Sequence, residues 1–354
     1  MIRLGLLIIV PAAPVMHYVS GLPPIWVFLA GILGIGVLAD WIRAATEQLA
    51  QHTGPAVGGL LQVSLGSVAE LLLALFVLAR GQAEVVHAQI TGSIIGTSLL
   101  GLGLAIVVGG ARRERQTFKR ERAGLLSSLL ILVVIALLLP AVFDFTARNI
   151  THANNVAVSD ETLSLMVSGV LLLLYLGNLA YTLVTHRDVF STGEAEETTS
   201  EWALWQCLAV LGGATALAAL ESELVSDALT DAASTLHLSS RFLGVIVLAL
   251  IGTIADLFSA VWFARQDRMG LVMSICIGSA IQVALVVAPL LVILSWLIGG
   301  PMTLVFQDPL DLFAIAAAAF IVNAITGDGE TTWFEGVLLI GVYVVLGIAF
   351  FFAG

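Results

Sequence analysis

Two acidic residues stand in stretches apolar enough to lie inside a lipid bilayer. Glu70 sits in "GSVAELLLA", Gly66 to Ala74, and Asp256 in "GTIADLFSA", Gly252 to Ala260. A carboxylate at mid-membrane depth costs at least about 2.5–3.5 kcal/mol to insert, so such residues generally face an ion or proton pathway. The two acids are 186 positions apart. The same offset relates Gly66 to Gly252, "GSII" from Gly92 to "GSAI" from Gly278, Gly58 to Gly244 and Leu99 to Leu285. Any one short Gly/Ala/Leu match is commonplace in membrane helices. A shared register that sets acid on acid and Gly-Ser on Gly-Ser is an internal repeat.

Two carboxylates converging in a low-dielectric site repel, and each holds a proton unless a cation neutralises it. Oxygen ligands suit hard cations, and two full negative charges favour a divalent ion such as Ca²⁺. Ser67 and Thr253 sit three residues before the acids; Ser93, Thr97 and Ser279 lie near them in the chain, with Gln282 at the position paired with Gly96. Gly66, Gly92, Gly252 and Gly278 permit helix breaks or close packing, and a broken helix frees carbonyls as further ligands. For any single Ser or Gly the alternative is small-residue helix packing, with hydroxyls bonded back to their own backbone. If the same carboxylates take either cation or protons, occupancy is mutually exclusive, and antiport follows without a separate coupling device. No phosphate-binding loop is present, so neither a nucleotide nor an ATP-driven pump is expected. Nor is enzymatic activity, or a cofactor beyond Ca²⁺ as cargo and H⁺ as counter-ion.

These residues need helices to hold them. The chain has 354 residues, 59% hydrophobic and 11% charged, against about a quarter charged in soluble domains. That composition fits an all-α polytopic membrane protein. Its net charge of −11 leaves no basic face for nucleic acid. Cys207 and Cys276, both in apolar runs, have no disulfide or metal-ligand spacing. Apolar runs long enough to cross about 30 Å of hydrocarbon fall at roughly 3–20, 25–43, 56–79, 86–109, 124–143, 162–185, 202–224, 242–264, 271–298, 310–326 and 333–353. The first is read as a membrane helix rather than a cleaved signal, because ten more follow.

Alternating the eleven helices puts 11 of the 14 Lys and Arg, Arg43 among them, on the side of "RRERQTFKRER" (112–122); Arg80, Arg148 and Arg241 fall on the other. The positive-inside bias then places the N-terminus in the cytoplasm and the C-terminus outside, in a prokaryotic inner or plasma membrane. The basic loop itself reads as a topology determinant touching anionic lipid. Five helices separate the two copies, so the helix of Glu70 and that of Asp256 run in opposite directions. This is an inverted-topology repeat, an architecture that sets ion sites near the midplane. The expected organisation is an extra N-terminal helix (1–22), a first five-helix repeat (23–186), an acidic cytosolic linker (187–201) and a second five-helix repeat (202–354). The linker is a solvated connection or a cation-sensing segment.

The residues resemble those of the calcium/cation antiporter superfamily, and within it the Ca²⁺/H⁺ exchanger family. "GGLLQVSLGSVAELLLALFVLARGQAEVVHAQITGSIIG" is similar to the family's first α-repeat; "FLGVIVLALIGTIADLFSAV", "IGSAIQVALVVAP" and "GGPMTLVF" are similar to the second and its continuation. "VNAITGDGETTWFEG" looks like the penultimate loop and last helix. The resemblance covers about residues 56–110 and 240–350. It implies a sodium/calcium exchanger-like fold and export of Ca²⁺ from the cytosol in exchange for H⁺. Glu70 and Asp256 would be the shared ligands, and access would switch by sliding of the first and sixth helices of the five-plus-five core. Five positions depart from the family pattern. Ser67 and Thr253 stand where Asn is usual, Asp256 where Glu is usual, Leu257 where His commonly follows, and Thr97 where Asn is frequent. These departures leave open Na⁺-coupled Ca²⁺ exchange, monovalent-cation/H⁺ antiport, a cation channel and a non-transporting homologue.

Beyond the pair, Glu221 and Glu223 in "LESELVSDAL" are candidates for drawing cations to the outer mouth, with a solvated helix end as the alternative. His87 reads as an interfacial residue, and Trp202, Trp205, Trp296 and Trp333 as interfacial anchors.

Overall fold

The computed structural model describes residues 6–20, 22–111, 113–149, 156–181 and 202–353, with side chains at all of these except 19–20, 54–64 and 149. The expected linker, 187–201, with its acids, lies outside the described residues, as do Arg3 and Arg187. The described chain forms eleven helices: α1 Ala12–Val15, extended by a π turn to Ser20; α2 Pro24–Gly66; α3 Val68–Ala79; α4 Ala83–Gly110; α5 Arg120–Asn149; α6 Val156–Ala180; α7 Leu204–Leu236; α8 Ser240–Arg265; α9 Met269–Ile298; α10 Pro309–Thr326; and α11 Trp333–Ala353. Nine are long and apolar enough to cross a membrane, while α1 and α3 are shorter. Among the described residues of the first expected span, helix α1 is brief, and Pro11 and Pro14 there remove backbone donors. Ala13 of α1 packs with Val27, Ala30 and Leu224.

Large apolar side chains face outward around the bundle, among them Leu132, Phe320 and Phe352, with Trp205, Trp296 and Trp333 also exposed. That pattern suits lipid rather than water. Cys207 and Cys276 are both buried and unpaired, packing residues of the interior.

The backbone stays helical through 44–55, where the sequence suggests a connection, but it reverses direction. Gly31 lies against Val225 of α7, and Phe76 accepts a hydrogen bond from Ser226, so residues 31 and 76 share a level. His52, between them in the chain, bonds the carbonyl of Trp202 at the other end of α7. From 202 to 226 a helix climbs about 36 Å at 1.5 Å per residue, and from 52 to 76 the chain has the same number of residues with which to return. Gly54-Pro55, a pair that weakens the helical hydrogen-bond ladder, falls within this reversal. A true break comes at Ser67 (φ −101°, ψ 17°), between α2 and α3.

Helix directions follow from close contacts. A β-carbon on Gly244 would meet the carbonyl of Val85, one on Gly92 would overlap that of Val245, one on Gly101 would touch Leu257, and one on Gly109 would touch Ala264. Both series ascend, so α4 and α8 are parallel. Helix α3 precedes α4 across a tight turn at Gly81 (φ 77°), so α3 runs opposite to α8. The helices carrying Glu70 and Asp256 are therefore inverted relative to each other. The repeat also shows as a shared irregularity. Helix α4 widens into a π turn at Gly96–Gly101 and α9 at Val283–Val287, positions that coincide under the 186-residue offset. Such turns concentrate at functional sites.

One element has no helical periodicity to announce it. Strands β1 (Gln116–Thr117) and β2 (Glu330–Thr331) pair antiparallel, joining the loop after α4 to the loop before α11. Arg115 pairs with Glu330 beside them.

Candidate cation site

Glu70 lies in the first turn of α3, 3% exposed, where the positive end of the helix dipole favours a carboxylate. Ser67 is the N-cap and Glu70 the third residue after it, the spacing of a capping box, yet Ser67 makes no side-chain cap bond. Glu70 turns instead toward α4, where the Ser93 hydroxyl donates to its Oε1. On the second copy the Ser279 hydroxyl of α9 donates to Asp256 Oδ2 at 2.7 Å. Donor and acceptor are 23 residues apart in both copies. Asp256 lies mid-helix and is only partly buried.

The two carboxylates meet through Gly252, one helical turn before Asp256. A β-carbon there would lie 3.2 Å from Cγ and 3.5 Å from Cδ of Glu70, so the acid of one copy rests on the helix that carries the other. Among the described residues no three of His, Cys, Asp and Glu converge on a metal position. Two carboxylates thus supply the charge, and hydroxyl and carbonyl oxygens are left to complete a coordination shell.

Thr97 donates to the Ser93 carbonyl at 2.8 Å, and Thr253 to the Ala249 carbonyl at 2.9 Å. Both hydroxyls spend their protons on their own helices and keep lone pairs for other partners. Thr253 reaches α4, its Oγ1 lying 4.0 Å from where a Gly96 β-carbon would be. Gln282 ends the α-helical part of α9 just before its π turn. Leu257, where the resemblance implies His, packs on Gly101 in the π turn of α4.

The expected helix-break glycines divide. Gly66 closes α2 at the Ser67 break. Gly92, Gly252 and Gly278 lie in unbroken helices, which corrects their assignment as breaks. Gly92 lets α4 and α8 cross at backbone contact, Gly252 leaves room for Glu70, and nothing lies within 4 Å of a Gly278 β-carbon.

Glu223 is exposed, but Glu221 is 1% exposed with neither carboxylate oxygen hydrogen-bonded, and it lies against Gly31 and Gly34 of α2. A sealed carboxylate does not line an outer mouth, which corrects that reading for Glu221. His87 is also interior rather than interfacial: its Nε2 is 2.8 Å from the Thr303 carbonyl and its ring is tilted on Phe306.

Two polar side chains near the acids escaped sequence reasoning. Gln89, one turn before Ser93 on α4, donates weakly to the Glu70 carbonyl at 3.4 Å; the four-residue spacing of Gln89, Ser93 and Thr97 was the available signal. Arg43, assigned by sequence to the cytoplasmic side, lies inside α2, on the helix whose Gly36 packs against Ile251 and Ile254 beside Asp256 in the chain.

The sodium/calcium exchanger protein family model matches residues 23–184 and 207–352. A Ca²⁺/H⁺ antiporter of Aphanothece halophytica is 38% identical, over 98% of this chain and 95% of its own. The Ca²⁺/H⁺ antiporter ChaA of Bacillus subtilis is 36% identical, over 95% of this chain and 93% of its own. Among solved structures, native YfkE superposes with a TM-score of 0.85 at 32% identity, covering 99% of this chain and all of that one.

Proposed function

The chain belongs to the sodium/calcium exchanger protein family, and from that premise we propose that it exports Ca²⁺ from the cytosol in exchange for H⁺. Ca²⁺ and H⁺ are the pair named for relatives that match it over nearly its whole length. The observation that carries the site is the doubled Ser–carboxylate bond, Ser93 to Glu70 and Ser279 to Asp256, at one spacing in two inverted copies.

Two buried negative charges resist every rearrangement that keeps them in low dielectric. One Ca²⁺ cancels both, and so do two protons. The carrier changes its open side in either neutral state and stalls in the charged one, which couples the two fluxes. Helices α2 and α7, packed through Gly31, Gly34, Glu221 and Val225, are the pair whose sliding switches access. The end bearing Arg113, Arg115, Lys119, Arg120, Arg265 and Arg268 faces the cytosol by the positive-inside rule. The N-terminus is cytoplasmic and the C-terminus external.

The test is radiolabelled Ca²⁺ uptake into reconstituted vesicles, driven in turn by H⁺, Na⁺ and K⁺ gradients, with Glu70→Gln and Asp256→Asn as controls. The expected result is H⁺-driven uptake lost in both variants. Uptake driven by Na⁺ alone would overturn the proton assignment, and full transport in either variant would overturn the site.

A further inference from the structure

Helix α2 carries a charged stripe that the exchange chemistry above does not use. Arg43 Nη1 donates to Glu47 Oε1 at 2.6 Å, and Nη2 to Asp40 Oδ1 at 3.4 Å. The three side chains are only part-exposed: 31% for Asp40, 20% for Arg43 and 40% for Glu47. Their spacing puts them on the face of α2 that carries Gly36 one turn earlier, and Gly36 rests on Ile251 and Ile254 of α8. Both α2 and α8 run from the Asp227 end of α7 toward its Trp202 end. Asp40, one turn past Gly36, therefore stands at the level of Asp256, and Arg43 about one turn nearer the Trp202 end. Arg43 is accordingly a positive charge within electrostatic reach of Asp256, the less buried of the two acids.

A guanidinium does not give up its proton at any physiological pH. A permanent cation beside a cation-binding carboxylate lowers that carboxylate's affinity for any other cation. Asp40 and Glu47 oppose this by holding Arg43 through its two terminal nitrogens. We propose that Arg43 is a tethered counter-cation that competes with Ca²⁺ for Asp256 at the Trp202 face, and that Asp40 and Glu47 set the strength of the competition. It acts through Asp256, as a specificity-determining residue rather than a ligand.

The inference rests on the Ca²⁺/H⁺ reading, and its test separates the two. Apparent KM for Ca²⁺ is measured with the ion supplied at each face of reconstituted vesicles, alongside equilibrium Ca²⁺ binding to the purified protein. Arg43→Gln lowers KM at the Trp202 face about threefold to tenfold, the scale of one unit charge at partly screened range, and leaves KM at the opposite face unchanged. Arg43→Lys stays within about twofold of wild type, since it keeps the charge. Asp40→Asn with Glu47→Gln moves KM the other way, because the freed guanidinium competes harder. A merely structural role would move both variants in one direction. Arg113→Gln, which removes a charge paired with Asp267 at the same end, leaves KM unchanged.

If Arg43→Gln fails to fold, the Asp40/Glu47 double variant decides: an unchanged or lowered KM overturns the proposal. An unchanged KM in a transporting Arg43→Gln protein overturns it alone. If wild type binds Ca²⁺ without H⁺-driven uptake, the exchange reading fails and the same shifts are read in binding affinity. A wild type that neither binds nor transports Ca²⁺ overturns both.

Discussion

Gly252 of the second repeat is the floor on which Glu70 of the first repeat rests, with a β-carbon at 252 falling 3.2 Å from Glu70 Cγ. The absence of a side chain on one copy thus positions the acid of the other. Glu70 cannot swing freely away, because Ser93 holds its Oε1. Gly252→Ala should displace the carboxylate by a few tenths of an ångström at about 1–3 kcal/mol. Ca²⁺ affinity measured by equilibrium binding should fall with little change in expression, and an unchanged affinity would show that Glu70 has slack.

The repeat-related glycines Gly92 and Gly278 should answer the same substitution differently. A β-carbon on Gly92 would overlap the Val245 carbonyl, a backbone atom with no rotamer to yield, whereas Gly278 has nothing within 4 Å. Gly92→Ala should destabilise by about 3 kcal/mol or more, as overpacking against backbone does. Gly278→Ala should stay within about 0.5 kcal/mol. Thermal unfolding of the two variants in one detergent checks the contrast, and equal melting temperatures would refute it.

Glu221 buries a carboxylate with neither oxygen hydrogen-bonded. An apolar side chain of similar volume should therefore tighten the α2–α7 contact. Glu221→Met should raise thermal stability by about 1–3 kcal/mol, the cost of an unsatisfied buried polar group. A lower melting temperature would mean that the carboxylate has a bonding partner.

Asp308, the N-cap of α10 and outside the span, has its carboxyl held below the ordinary range. Burial pushes it up, but the Leu310 N–H and the Arg241 guanidinium outweigh that. The sign follows directly: a depressed folded-state value contributes stability above the unfolded value of about 3.9, lost as pH falls through the folded one. Asp308→Asn keeps the cap acceptor and removes the charge facing Arg241. It should cost about 1–2 kcal/mol at neutral pH, and the gap to wild type should close below about pH 4. A gap independent of pH would assign the effect to packing.

How far the sequence reached depended on whether a residue had a counterpart. Glu70, Asp256, Ser93 and Ser279 were legible because each is one of a pair at a fixed offset, and chance does not keep acids and hydroxyls in register over two helices. Arg43 has no such counterpart, and a hydropathy window ended its helix just there, so a charge beside the site read as a flank of the membrane. The reversal after Thr53 was legible as two spans, but its helical backbone was not, since a kinked helix and a loop leave the same gap in hydropathy. Glu221 looked like a helix-end acid because composition reports the neighbours in the chain. The glycines of α2 that seal it are some 190 positions away. The π turns and the two-residue strands leave no periodic trace at all.

Those two strands bear on the transport cycle. Gln116–Thr117 and Glu330–Thr331 stitch the exits of α4 and α11 together on the face where Gly103 already meets Gly336 and Gly109 meets Ala264 of α8. They act as a clasp on a chassis of α4, α8 and α11, and neither strand includes a residue of α2 or α7. A carrier needs one part that keeps still while another travels, and here the stationary part is buttoned shut at one hem.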